Sequence, residues 1–257
     1  MVSVNASGLN NVFMYRIFVV IFLSLIFVSR AEAKIYVVSV GISNYKNIGN
    51  LNSAERDAKS ISMLYKKQTD AVILITGKYA TKRMIVKSLE DQFSRASADD
   101  MIVFFFSGHG YRGGICPYDM TRDLRSGLSY GEIKKLFRRF KAKKKVIIAD
   151  SCFSGGLRND NQQNERAESD SQLDVIFFLS SRGGEYSAES PLMANGLFTT
   201  ALIEGLRGCA DTNQDRCVTA QEIFVYVSKK LQQRCHGKQH PVMWGHFDDS
   251  FMLMDWR

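Results

Sequence analysis

Six consecutive apolar residues, Met101–Phe106, end on Ser-Gly-His-Gly, and a second apolar run, Val146–Ala149, ends on Asp-Ser-Cys-Phe-Ser-Gly-Gly. Neither run alternates polar with apolar positions, so each reads as a strand covered on both faces. Such strands need a helical layer above and below them. The rest of the chain supplies it. Apolar runs also start at Ile35, Ala71, Val175 and Ser250. Between them lie helical stripes: Ala54, Ala58, Ile61 and Tyr65; Ile85, Leu89, Phe93 and Ala96; a segment from Ser129 to Phe140; Leu197–Leu206; and Gln221–Arg234. Ser129-Tyr-Gly-Glu132 is a capping box that opens the third helix. Strand and helix in turn predict an α/β fold, a mostly parallel six-stranded sheet flanked by helices.

In such sheets the active site lies beyond the carboxyl ends of the strands. His109 and Cys152 both fall there, 43 positions apart. On neighbouring strands their side chains meet across a gap of about 5 Å, and the adjacent glycines let the backbone turn and present its N–H groups. A free thiol near pKa 8.5 is only a few per cent thiolate at neutral pH, so a histidine beside it supplies the activation or protonates a departing amine. These residue types point to Cys152 as nucleophile and His109 as acid and base.

"FFFSGHG" and "IIADSCFSGG" resemble the His and Cys motifs of caspase-like cysteine peptidases, most closely the metacaspase and bacterial caspase-like branch. The resemblance runs from Lys34 to about Met254, in strand order and motif order. It implies an oxyanion hole made by the N–H groups of Gly110 and Cys152. It also implies that Asp57, Ser107 and Asp150 line the pocket for the residue before the scissile bond. The sequence is consistent with that assignment. Residues two apart on a strand share a face, so Ser107 points as His109 does and Asp150 as Cys152 does. Asp57 falls on the apolar stripe that faces the sheet, where a carboxylate is costly without a partner. Two carboxylates in one pocket grip a guanidinium or an ammonium, so the expected substrates are proteins or peptides cut after Arg or Lys.

Two acidic features raise the question of calcium. The segment after the histidine, Tyr111–Leu124, is far shorter than the calcium-binding acidic loops of metacaspases, and Asp119 is its one match to a ligand there. "DTNQDRCVTAQE" puts Asp211, Asn213, Asp215, Thr219 and Glu222 at positions one, three, five, nine and twelve of an EF-hand loop. Position six, where that loop turns on glycine, is Arg216. Thr219–Glu222 is also a capping box for the last helix. Calcium is therefore the one cofactor the sequence allows for, and the thiol chemistry requires none.

After the nucleophile, Leu157–Asp174 is almost wholly polar. It reads as a surface loop open to proteolysis, with Arg158 and Arg166 as sites of self-cleavage. Five cysteines leave four besides Cys152; Cys209 with Cys217 is the favoured pair among three pairings, and reduced thiols are an equal alternative.

The first 33 residues belong to a different class. Arg16 precedes twelve apolar residues, Ile17–Val28, and Ala31-Glu-Ala33 follows. That stretch is too short to span a bilayer of about 30 Å and has the form of a signal peptide. Residues 1–33 are expected to be removed on export to the periplasm or medium, with no stable membrane insertion afterwards. Removing them takes away Arg16, Arg30 and Glu32, which turns a net charge of +8 into +7 for residues 34–257, the peptidase domain. A mild basic excess is not a nucleic-acid signature. Two other readings stay open: a clostripain- or gingipain-like peptidase, and an inactive caspase-like binding module.

Overall fold

The computed structural model describes residues 33–111, 113–123, 125–151, 175–180, 195–235, 239–245, 248 and 250–257. Lys34–Arg257 forms one compact unit. Its centre is a six-stranded sheet. Strand β1 spans Ile35–Gly41, β2 Val72–Thr76, β3 Met101–Ser107, β7 Lys144–Asp150, β8 Val175–Leu179 and β10 Val242–Trp244. Their order is β10-β8-β7-β3-β1-β2. All neighbours run parallel except β10, which pairs antiparallel with β8.

Helices α1 (Ala54–Tyr65), α2 (Lys82–Phe93), α3 (Tyr130–Arg138), α4 (Leu197–Glu204) and α5 (Ala220–Cys235) flank the sheet. Alternate strand residues feed two cores. Val38, Ile102, Phe104 and Phe106 pack with Ile85 and Phe93 of α2 and Phe137 of α3. Val37, Val103, Phe105 and Ile148 pack with Ile61 of α1, Phe198 of α4 and Val227 of α5. The absence of polar alternation in β3 thus has its cause: Phe104, Phe105 and Phe106 are at most 1% exposed, whichever face they take. Truncating Phe105 to alanine would cost about 3–5 kcal/mol.

Two expectations shift. The run from Ser250 does not join the main sheet. Strand β11 (Met252–Asp255) instead pairs antiparallel with β9 (Cys217–Thr219), and the sixth position goes to Val242–Trp244. The segment after the histidine folds into three two-residue strands, β4 (Gly110–Tyr111), β5 (Gly114–Ile115) and β6 (Leu128–Ser129), too short for period counting to find. The capping box holds: Ser129 Oγ accepts from the Glu132 N–H at 3.2 Å and Glu132 Oε2 from the Ser129 N–H at 2.9 Å. Among the described residues, no helix is long and apolar enough to cross a membrane.

One close approach positions the site. A Cβ on Gly41 would lie 2.3 Å from the Ala54 carbonyl oxygen and 2.7 Å from Ala58 Cβ. Glycine at the end of β1 therefore lets α1 lie against the strand, and α1 carries Asp57.

Candidate active site

Gly41, Ser107 and Asp150 end three adjacent strands in matched register, Gly41 opposite Ser107 and Ser107 opposite Asp150. Ser107 and Asp150 share the face of Phe105 and Ile148, the face that α1 and α4 cover. Asp57 on α1 comes down onto the same spot. Its Oδ2 accepts from Ser107 Oγ at 2.8 Å, and its Oδ1 accepts from the Gly196 N–H at 2.9 Å. Asp150 Oδ2 accepts from Thr199 Oγ1 at 2.7 Å. Asp57 is 1%, Ser107 3% and Asp150 8% exposed, so the three sequence-derived pocket residues form one buried cluster. Gly196 caps α4 and Thr199 lies in its first turn. The N-terminal end of that helix therefore faces both carboxylates.

His109 follows β3 by two residues and is half-buried. Its own N–H donates to Tyr45 Oη at 2.7 Å, and the Tyr45 ring packs 5.0 Å from the imidazole, centroid to centroid. Ring Nε2 lies 3.0 Å from the Gly49 carbonyl oxygen. A carbonyl can only accept, so Nε2 carries the proton of this contact, and neutral imidazole keeps its lone pair on Nδ1. Burial pushes the Tyr45 hydroxyl well above its ordinary value, although the His109 N–H pulls the other way. Tyr45 stays neutral and serves as a support.

Cys152 comes two positions after Asp150 and lies outside the described residues, as do Arg158, Arg166 and residues 1–32. Gly110 opens β4 directly after His109, opposite Ile115.

The chain matches the caspase domain over residues 35–252. It belongs to the caspase family. That is a family of cysteine peptidases, whose domain here covers nearly all of the compact unit. A solved structure of a protein from Geobacter sulfurreducens has the same fold, with a TM-score of 0.63 at 17% identity, over 87% of this chain and 98% of that one. No curated protein sequence matches the chain.

The acidic residues considered for calcium bond protein groups. Asp119 Oδ1 accepts from the Lys82 N–H at 3.1 Å, at the start of α2. The Asp211–Glu222 loop does take the left-handed turn of an EF-hand at Arg216, with φ 65°. Its oxygens, however, are turned on its own backbone and side chains. Asp211 Oδ2 accepts from the Arg216 N–H and Asp215 Oδ1 from the Cys217 N–H. Asn213 Oδ1 accepts from the Asp215 N–H. Glu222 takes the N–H and hydroxyl of Thr212 on one oxygen and those of Thr219 on the other. Asp211 Oδ1 is enclosed without a partner, but calcium wants six to eight oxygens. Among the described residues, no three His, Cys, Asp or Glu side chains converge closely enough to hold a metal.

The favoured Cys209–Cys217 disulfide is not formed. Cys116, Cys209, Cys217 and Cys235 are free thiols. Cys217 is buried at the start of β9, whereas Cys209 is exposed. Burial pushes the Cys116 thiol up to about 12, which makes it inert.

Sequence reading missed Tyr45, the Gly49 carbonyl, Gly196 and Thr199. Each acts on a residue 49 or more positions away. No local pattern marks them.

Proposed function

We propose that this caspase-family chain is a cysteine endopeptidase that cuts after Arg or Lys. The observation that carries the reading is the buried meeting of Asp57, Ser107 and Asp150 at the strand ends next to His109. Two carboxylates there match a basic side chain and repel an acidic one. In this reading His109 takes the Cys152 thiol proton, the sulfur attacks the scissile carbonyl carbon, and the C–N bond then breaks to leave a thioester. The oxygen that becomes negative is received by the N–H groups of Gly110 and Cys152. His109, steadied by Gly49 and Tyr45, protonates the leaving amine. Water then attacks the thioester, His109 takes its proton, and the acid product leaves. No metal enters these steps.

The same reading includes export and self-processing. Removal of residues 1–33 would leave Lys34 as the first residue. Its backbone nitrogen already donates to Asp100 Oδ1 at 2.7 Å, and an α-ammonium could make that same bond. Asp100 also accepts from the N–H and hydroxyl of Ser97. Burial alone would raise its carboxyl. The Lys34 and Ser97 donors and the nearby positive charge of Lys34 overrule that and leave it below its ordinary value. Self-cleavage is proposed after Arg166, or after Arg158, which is closer to Cys152 in sequence.

Turnover of a blocked Arg peptide is the test. Purified protein should cleave it, and Cys152→Ala should abolish cleavage, with His109→Ala close behind. The active protein should split into two fragments, the smaller beginning at Ala167 or Asn159, while Cys152→Ala stays whole. Activity retained in the cysteine variant would end the reading.

A further inference from the structure

Gly196 is an unusual choice where it stands. It is the N-cap of α4, with φ −57° and ψ 153°, a conformation open to any residue. Ser, Thr, Asp or Asn at an N-cap normally stabilises a helix through its side chain. The backbone therefore does not call for glycine here. The surroundings do. A Cβ on Gly196 would stand 2.9 Å from Asp150 Oδ2 and 3.4 Å from Asp57 Oδ2. The two carboxylates bracket the space that any side chain at 196 would enter. Neither can simply swing aside, because Asp57 is held by Ser107 and by the Gly196 N–H, and Asp150 by Thr199.

We infer that Gly196 and Thr199 are specificity-determining residues of the pocket: Gly196 keeps open the gap between Asp57 and Asp150 that a substrate's guanidinium or ammonium enters, and Thr199 aims the Asp150 carboxylate into it. A cationic nitrogen bridging both carboxylates has to lie about 2.7–3.2 Å from an oxygen of each. At Gly196 no Cβ crowds those two oxygens. A methyl there intrudes on the space and forces Asp150 off its bond to Thr199. The Thr199 hydroxyl fixes which way Oδ2 faces, and a carboxylate free to rotate would lose part of its grip on a two-pronged donor.

This inference rests on the proposed Arg/Lys pocket, and its test separates the two. Gly196→Ala and Thr199→Val are compared with the unaltered full chain. Four quantities are read: kcat/KM on blocked Arg, Lys and norleucine peptides, inhibition by benzamidine, the rate at which iodoacetamide alkylates Cys152 (followed by mass spectrometry of its peptide), and the melting temperature. Gly196→Ala should lose roughly 100-fold in kcat/KM on Arg and Lys, the equivalent of about one charge-assisted bond, and should lose benzamidine inhibition. Its alkylation rate should stay close to that of the unaltered protein, and its melting temperature should show that it still folds. Thr199→Val should lose roughly 10-fold on Arg with folding kept, and it decides the matter should the alanine variant fail to fold. Equal losses on Arg, Lys and norleucine, or Arg turnover within about threefold of the unaltered protein, would overturn the inference. An unaltered protein that cuts after neither Arg nor Lys would instead overturn the pocket reading beneath it.

Discussion

Asp57 and Asp150 lie 93 positions apart in the chain and meet at the end of the central sheet, whereas Asp211, Asn213, Asp215, Thr219 and Glu222 lie within twelve consecutive positions and stay on one loop. The first pair is bonded by groups from other elements, a strand-end serine, a helix N-cap and a helical threonine. The loop is bonded almost wholly by itself, most of its carboxylate and amide oxygens returning to an N–H or hydroxyl within ten positions, while Asp211 Oδ1 has no partner. A carboxylate that only closes its own loop is spent on folding that loop. Carboxylates brought together by tertiary structure are held there against the cost of burial, and the proposed pocket rests on that pair. The loop's bonds build a turn and the cap of the last helix.

The largest expected effect lies in the pocket. Asp150→Asn, or Asp57→Asn, should lower kcat/KM on Arg peptides at least 100-fold, since removing one partner of a desolvated charge pair costs about 3–5 kcal/mol. Cleavage of a norleucine peptide should change much less. Equal losses on both would show that the aspartates shape the nucleophile's strand rather than the pocket. A smaller effect, of a different kind, is expected in the loop. Glu222→Gln should cost about 1–2 kcal/mol of stability through the cap and the Thr212 tie, with kcat/KM on Arg unchanged. A drop in turnover there would join two regions that the comparison separates.

Acid should reach the loop through the same residue. Burial alone would raise the Glu222 carboxyl, but the N–H and hydroxyl groups of Thr219 and Thr212 bring it below its ordinary value. A depressed carboxyl contributes stability that is fully present above its unfolded pKa of about 4.3 and is lost as pH falls through the lower folded value. Melting curves below about pH 5 should therefore be less steep with pH in Glu222→Gln. A variant with the parent's acid dependence would contradict this. The smallest effect concerns calcium. With the loop oxygens engaged, 1 mM calcium should move the melting temperature by about 1 °C or less and leave turnover unaltered. A large rise would mean that the loop opens for the ion.

Much of this was legible in the chain. Unbroken apolar runs gave away strands buried on both faces, and Phe104–Phe106 confirm why: neighbouring residues feed opposite cores. Asp57 stood out because a carboxylate on an apolar stripe needs a reason, and the strand period set Ser107 on the side of His109 and Asp150 on that of Cys152; only the register of β3 against β7 puts the two side by side. The sixth strand was misplaced because Val242–Trp244 is three residues long and antiparallel, so it carries no buried-run signal. Tyr45, Gly196 and Thr199 were invisible for a different reason. Their roles exist only after strands and helices far apart in sequence have met, and nothing in "SNYKN" or "NGLFTT" announces it.

The central claim is that the strand-end carboxylates choose a basic side chain before the scissile bond. The most direct measurement is kcat/KM of the purified protein on matched blocked peptides that differ only in that residue: Arg, Lys, norleucine and Asp. Arg and Lys should be cleaved at least 100-fold faster than norleucine, and Asp should not be cleaved measurably. Cleavage after Asp, or equal turnover of all four, would contradict the account.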